Sequence, residues 1–284
     1  MIYVFGGTNI DIVVKISDKI RYHESNPADI SWQAGGVGRN IARAIGNYKE
    51  CEFITVFPNS LYIDIEKDLL NHRVSLNHSI HLDSSSNSLY IDIEDKDGFT
   101  LGASDMKAIE KLKKEDVKGV LDLIKDTDLV VIDANISYEV IKELIKTKAY
   151  KVLDAVSSKK LQKIRDLTPS FDLIKVNTYE YEIIKDLPLK KVILTIGNGI
   201  IIKENQKDIF EIKHKYFNPI STSGCGDTFL GTYLANLDRG EEEAIKEGIV
   251  AAIATSQVLS SIATKEEIAK VNRADLNIQI RHLL

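Results

Sequence analysis

The sequence predicts an α/β protein: a mostly parallel sheet packed between helices, with a small β-sheet standing off it. Three observations predict this. Short β-branched apolar runs recur and end in Gly, Asp, Asn or Pro, as strands buried on both faces do. Helical patterns lie between them, the alternation of βαβ units in a doubly wound sandwich. A few stretches with a period of two break that rhythm.

Residues 2–7 ("IYVFGG") open the sheet. Residues 10–16 ("IDIVVKI") and 30–33 ("ISWQ") alternate instead. Residues 39–48 ("RNIARAIGNY") place apolar side chains at helical spacing. Strand 52–57 ("EFITVF") and helix 62–71 follow. Residues 88–101 ("SLYIDIEDKDGFTL") read as a hairpin with "DKDG" as its turn. Helix 114–124 leads into strand 129–134 ("LVVIDA"), helix 138–147, strand 150–155 ("YKVLDA") and helix 158–167. Strand 173–177 ("LIKVN"), helix 179–185 and strand 191–197 ("KVILTIG") continue the alternation. The C-terminal third is helical at 228–237, 241–260 and 265–271. The alternating stretches form a small sheet from about residues 11–34 and 87–103, inserted in one domain spanning 1–284. A one-sided sheet must cover its apolar face with the domain, a substrate or a second subunit.

The composition, 44% hydrophobic and 28% charged over 284 residues, suits a sizeable core. A net charge of -5 argues against a nucleic-acid or membrane-surface partner. Cys51 and Cys225 lie far apart and in no metal spacing, which fits a reducing cytoplasm. The start, "MIYVFGGTNIDIVV", lacks a signal peptide's basic and apolar regions. No run approaches the roughly 18 apolar residues of a membrane helix.

The sharpest motif is "STSGCGDTF" (221–229). Gly224 and Gly226 let successive N–H groups point into one concavity, an anion nest. The helix that starts near Asp227 adds its positive end. Such a site stabilises charge on a transferring phosphoryl group, and Asp227 beside it can take a proton from a hydroxyl. A plainer reading also fits: a Gly-rich turn in which Asp227 caps the helix. No Gly-Lys-Ser/Thr follows, so this is not a P-loop. Cys225 is read as a small space-filler, because no histidine lies nearby to act as its base.

"QAGGVGRNIARA" (33–44) is a second Gly-rich turn entering a helix. Gly35 and Gly36 allow close approach of a ligand, and Asn40 can reach a sugar hydroxyl. The plain alternative is a turn and an amphipathic helix with Arg39 solvated. "GGTNID" (6–11) puts Asn9 and Asp11 at the C-terminal edge of the sheet. There Asp11 is either an acceptor for a vicinal diol or a solvated turn residue. In "KVNTYEYE" (175–182), Asn177 and Glu180 share one face of a helix start. They can hold hydrated Mg²⁺ near phosphates or form a capping box. Asp133, Asn135, Asp154, Asn177 and Gly197 stand at predicted strand ends, the ligand-binding edge of open α/β sheets. Any one of them also serves as a turn former.

In order along nearly the whole chain, "GGTNID", "GGVGRN", "NTYE", "TIGNG" and "STSGCGDTF" resemble the ribokinase-like (PfkB) family of carbohydrate and nucleoside kinases. The resemblance implies a three-layer α/β/α sandwich with a mostly parallel sheet and a β-sheet lid. It implies ATP and Mg²⁺, leaves room for a monovalent cation, and points to phosphorylation of a primary hydroxyl on a sugar. By it, Asp227 is the base and Gly224, Cys225 and Gly226 form the anion hole. Asn9, Asp11, Gly35, Gly36 and Asn40 hold the sugar. Asn177 and Glu180 organise Mg²⁺ and phosphate. Thr195, Gly197, Gly199 and Thr222 line the nucleotide with Asn177, Gly224 and Gly226, and residues 251–255 lie near the adenine. "GGVGRNIA" (35–42), "GASDMKAIEKL" (102–112), "DANIS" (133–137) and "LDAVSSKKLQKI" (153–164) are similar to the pseudouridine kinases within the family. That implies action on the 5′-hydroxyl of pseudouridine, with Ser104 and Asp105 facing the base. Cys225 stands where Ala is usual, and Val176 where Pro often precedes the Asn. Two lids packed together would give a homodimer. A kinase for another nucleoside or a free sugar, and a non-catalytic sensor on the same fold, are the alternatives.

Overall fold

Strand β1 (Ile2–Phe5), buried along its length, starts the central sheet. The computed structural model describes residues 1–58, 62–82, 87–98, 100–197, 199–215 and 218–283. The chain leaves the sheet for β2 (Asn9–Ile16) and β3 (Ala28–Gly35), then enters α1 (Val37–Gly46). β4 (Cys51–Ile54) returns beside β1, followed by β5 (Val56–Phe57), α2 (Ile63–Asn71), β6 (Val74–Ser75) and β7 (Ile80–His81). β8 (Leu89–Glu94) and β9 (Thr100–Asp105) form the predicted hairpin, of which Phe99 lies outside the described residues. The alternation then resumes: α3 (Lys118–Leu121), β10 (Leu129–Asp133), α4 (Tyr138–Leu144), β11 (Tyr150–Asp154), α5 (Ser158–Lys163), β12 (Leu173–Asn177), α6 (Thr178–Ile184) and β13 (Lys191–Ile196). β14 (Gly199–Glu204), β15 (Lys207–Lys213), α7 (Cys225–Asn236), α8 (Glu241–Ser256), α9 (Lys265–Ala269) and β16 (Gln279–His282) complete the chain. Asn198 of "TIGNG" lies outside the described residues.

Among the described residues the large sheet has the order β16-β15-β14-β13-β12-β11-β10-β1-β4-β6. It is parallel from β13 to β6 and antiparallel from β13 to β16. Alternate residues of the parallel strands feed opposite cores. Val4, Val131, Val152 and Ile193 pack with α1, α2, α7 and α8. Phe5, Ile132, Leu153 and Ile174 pack with α4, α5 and α6. Burial on both faces explains the continuous apolar runs. The predicted α/β sandwich is therefore the observed architecture, and all the parallel strands deliver their C-terminal ends to one edge.

β3-β2-β8-β9 form the separate small sheet. Its two faces differ because side chains alternate along a strand. Asp11, Lys15, Tyr90, Asp92 and Glu94 look toward a cavity, whereas Ile12, Val14, Ile91 and Ile93 alternate to the other side.

Several boundaries differ from the sequence reading. Run 52–57 breaks into β4 and β5, and β5 pairs with β7 rather than with β1. The segment read as helix 114–124 holds only the short α3. α5 ends early and gives way to a 3₁₀ turn over Arg165–Ser170 that contains Pro169, whose ring cannot continue an α-helix. The pair β14–β15 was not read as strands. Its turn puts Asn205 and Gln206 at φ 47 and 68, a hairpin turn made without the Gly that normally marks one.

Candidate active site

Gly224 ends the loop before α7 with φ 72. A Cβ there would run into the Ser261 carbonyl oxygen, so the left-handed turn and the close approach both require glycine. The loop delivers the N–H groups of 225–227 at the positive end of a twelve-residue helix. Asp227 stands in the first turn and is 8% exposed. No side chain caps the helix at Gly224. Asp227 instead accepts a hydrogen bond through Oδ2 from Asn40 Nδ2 at 2.9 Å. Of the two readings of this motif, the helix cap is absent. Burial, reinforced by the Asp154 carboxylate, pushes Asp227 up to about 7, while Lys175 and the Asn40 bond hold it down.

Lys175 on β12 supplies the cation that the sequence reading passed over. Its Nζ lies 2.7 Å from where a Cβ on Gly226 would stand, directly under the nest. It pairs with Asp154 Oδ2 at 3.0 Å. Burial opposes its charge, but the Asp154 and Asp227 carboxylates outweigh that and raise its pKa. Asp154 also accepts from Val156 N at 2.9 Å, which holds the turn after β11. Asp133 is likewise a scaffold residue. It accepts from the N–H groups of Gly7, Gly38 and Asn135, each at 2.8 Å, and so ties the first loop to the start of α1.

Two cavities meet across the segment before α7. One, of about 850 Å³, lies between the small sheet and residues 219–223, with Asp11, Tyr90, Asp92 and Glu94 on its wall. The other, of about 380 Å³, is lined by Thr195, Gly197, Gly199, Cys225, Gly226 and Phe229. Thr222 borders both. Residues Ala252 and Ile253 of α8 complete the second cavity, within the 251–255 stretch assigned to the adenine.

The remaining predicted residues fall into place unevenly. Asn9 donates to Asp11, and Gly35 faces the Asp11 carboxylate so closely that a side chain there would collide with it. Burial pushes Asp11 up to about 6 against the pull of Asn9 and Arg39. Gly36 takes φ 100 just before α1. Asn177 and Glu180 form the capping box: Glu180 N donates to Asn177 Oδ1 at 3.0 Å, and Asn177 N to Glu180 Oε2 at 2.8 Å. Burial raises the Glu180 pKa. Among the described residues no three His, Cys, Asp or Glu side chains gather into a metal cage. Asn177 and Glu180 line neither cavity, but Glu180 lies near enough to Lys175 and Asp154 to feel both charges, and a single buried carboxylate of this kind suits Mg²⁺ that keeps its waters. Ser104 and Asp105 lie on the edge strand β9 and line neither cavity. Asp105 accepts from Lys107 N at 3.3 Å. Burial and the nearby Asp227 push the Cys225 thiol up to about 11, in keeping with a space-filler.

Arg39 corrects the plain reading of its helix, for it is buried rather than solvated. Its partner Asp68 lies on α2, beyond the reach of local patterning. Tyr90, Asp92 and Glu94 were also missed as cavity residues. Their alternation in "LYIDIE" was the available signal.

Comparison with known proteins agrees with this architecture. The chain is 26% identical over 195 residues to a pseudouridine kinase of Escherichia coli (strain K12), covering 66% of this chain and 62% of that protein. It thus spans less than two thirds of that relative. It is 22% identical over 281 residues to a guanosine-inosine kinase of Exiguobacterium acetylicum, covering 87% of this chain and 91% of that one. The crystal structure of a ribokinase from Thermotoga maritima shares the fold, with a TM-score of 0.80 at 22% identity over 95% of this chain and 98% of that one. The pfkB family of carbohydrate kinases matches from residue 1 to residue 268, and the chain belongs to that family.

Proposed function

We propose that the protein is an ATP-dependent kinase that phosphorylates the 5′-hydroxyl of pseudouridine. The observation that carries the reading is Asp227, a buried carboxylate with its pKa raised to about 7, one residue beyond the Cys225–Gly226 turn that lines the smaller cavity and close to Thr222, which borders both cavities. A base poised near the working pH suits proton abstraction. ATP occupies the smaller cavity with its γ-phosphate at the N–H groups of Gly226 and Asp227, the Cys225 N–H being donated to the Thr222 carbonyl, and the nucleoside occupies the larger one. The 5′-oxygen attacks the γ-phosphorus in line as its proton passes to Asp227. The bond from the γ-phosphorus to the bridging oxygen breaks, and ADP leaves. Lys175 under the nest stabilises charge on the equatorial oxygens, and positioning supplies most of the remaining acceleration. Mg²⁺, when bound, neutralises phosphate charge; Glu180 and Asn177 would hold it through water.

The wall of the larger cavity supports a neutral, N–H-rich substrate. It carries Asp11, Asp92 and Glu94 against Lys15. Among the described residues no hydrogen bond or ion pair engages Asp92 or Glu94. Such a wall repels a sugar phosphate and accepts from a base edge. Pseudouridine, joined through carbon, presents two N–H groups where uridine presents one. The four stretches similar to the pseudouridine kinases support the same substrate. The opposite face of the small sheet exposes Ile30 at 70%. We assign that face to a homodimer contact. A cytoplasmic location fits the two free cysteines. Among the described residues no helix is long and apolar enough to cross a membrane.

The test is turnover with ATP and Mg²⁺ on pseudouridine, uridine, guanosine, inosine, adenosine and ribose. Pseudouridine as the fastest substrate is the expected result. Preference for guanosine or inosine would favour the activity named for the E. acetylicum relative, and ligand binding without ADP formation would point to a sensor.

A further inference from the structure

Next to Asp227 the protein buries a guanidinium that the reaction above does not use. We infer that Arg39 is a positioning residue that acts through Asn40, fixing the Asn40 carboxamide with its NH₂ end toward Asp227. The inference rests on the reading of Asp227 as the base.

A carboxamide has a donor end and an acceptor end, and its orientation is set by what each end meets. Asn40 Nδ2 meets Asp227 Oδ2 at 2.9 Å. Asn40 Oδ1 meets Arg39 Nη1 at 3.2 Å and Ser261 Oγ at 3.2 Å. The single hydroxyl proton of Ser261 goes to the Ala34 carbonyl at 2.6 Å. Arg39 is therefore the standing donor at Oδ1. Its guanidinium stays protonated at any working pH, so the donor never switches off. A reversed carboxamide would set NH₂ against the guanidinium and oxygen against the carboxylate, unfavourable at both ends.

Arg39 is itself held in place. Its Nη2 donates to Asp68 Oδ2 at 2.8 Å, and Arg43 Nε donates to the same oxygen at 3.2 Å. Arg39 Nε is buried with no partner among the described residues. An incompletely paired buried guanidinium is costly, and an apolar residue would pack there more cheaply. Holding Asn40 gives this residue a use that packing does not. The charged groups that face Asp227 from the neighbouring strands are Asp133 on β10, Asp154 on β11 and Lys175 on β12. Among the described hydrogen bonds and ion pairs, Arg39 joins none of them.

The experiment titrates Asp227 directly by NMR of protein carrying ¹³C-carboxyl aspartate, with Asp227→Asn assigning the signal. Arg39→Leu and Arg39→Lys are each read with Asn40 intact and with Asn40→Ala. The lysine variant keeps a charge but loses the fork, and it leaves a folded protein to titrate if the leucine variant collapses. With Asn40 intact, each Arg39 substitution is expected to raise the Asp227 midpoint by about one pH unit, a tenfold change in proton affinity. In the Asn40→Ala background the rise should shrink to a small fraction of that. An unmoved midpoint, or a rise of the same size in both backgrounds, overturns the inference. The signal needs no substrate, so this outcome is separate from the result of the nucleoside panel.

Discussion

Replacing Asp227 by asparagine keeps the size of the side chain and an oxygen that can accept from Asn40 Nδ2, but removes the ionisation. Burial and Asp154 hold the carboxyl at about 7 against an ordinary 3.8. The folded protein therefore binds a proton that the unfolded chain releases between those values, and ionised Asp227 opposes folding. The penalty is absent below about pH 4, grows as the pH rises, and is complete above about 7. Its full size is about 4 kcal/mol. In a chain of this length that corresponds to roughly 8 °C in Tm. Asp227→Asn should therefore melt several degrees higher than wild type at pH 8 and at nearly the same temperature at pH 4.5. It should also lose roughly 10²–10⁴ in kcat. Thermal melts of both proteins across that pH range make the measurement. A Tm difference that does not change with pH, or a wild type that is the more stable at pH 8, would refute the account of Asp227 as a carboxylate held ionised at the expense of stability.

Other expectations follow from the same geometry. The kcat/KM of the wild type should rise with pH through about 7, since free Asp227 must be ionised to act. Lys175→Met should move that acid limb upward by at least about one unit, and Asp154→Asn downward, as a pH-rate series would report. Asp92→Asn should lower the preference for pseudouridine over uridine by roughly tenfold to a hundredfold, measured as a ratio of kcat/KM. Ile30→Glu should turn a homodimer into monomers in light scattering, with the fold intact by circular dichroism.

The periodicity of the sequence carried most of the architecture, because strands buried on both faces and amphipathic helices have different repeats. It failed where the signal is not local. Asn205 and Gln206 make a hairpin turn that their types do not announce. The helix read over 114–124 is mostly turns. The same division runs through the site. Gly224 and Asp227 stood out because a nest and a helix start are short-range features. What separates a cap from a base is the partner of Asp227, and that partner, Asn40, lies 187 residues away. Lys175 looked like one more strand residue until the β12 register brought it under Gly226. Arg39 looked like a solvated helix residue because Asp68 belongs to a different helix. The Asn177–Glu180 spacing served both of its readings at once. The two residues form the capping box, and that same box buries a carboxylate within electrostatic reach of Lys175.

The central claim is phosphoryl transfer from ATP to the 5′-oxygen of pseudouridine. Phosphorus NMR of wild-type protein with ATP, Mg²⁺ and pseudouridine tests it most directly. The account predicts a growing 5′-phosphate monoester signal matched by ADP, both slowed roughly 10²–10⁴-fold in Asp227→Asn. ADP appearing with inorganic phosphate alone, or a monoester formed equally well by Asp227→Asn, would contradict it.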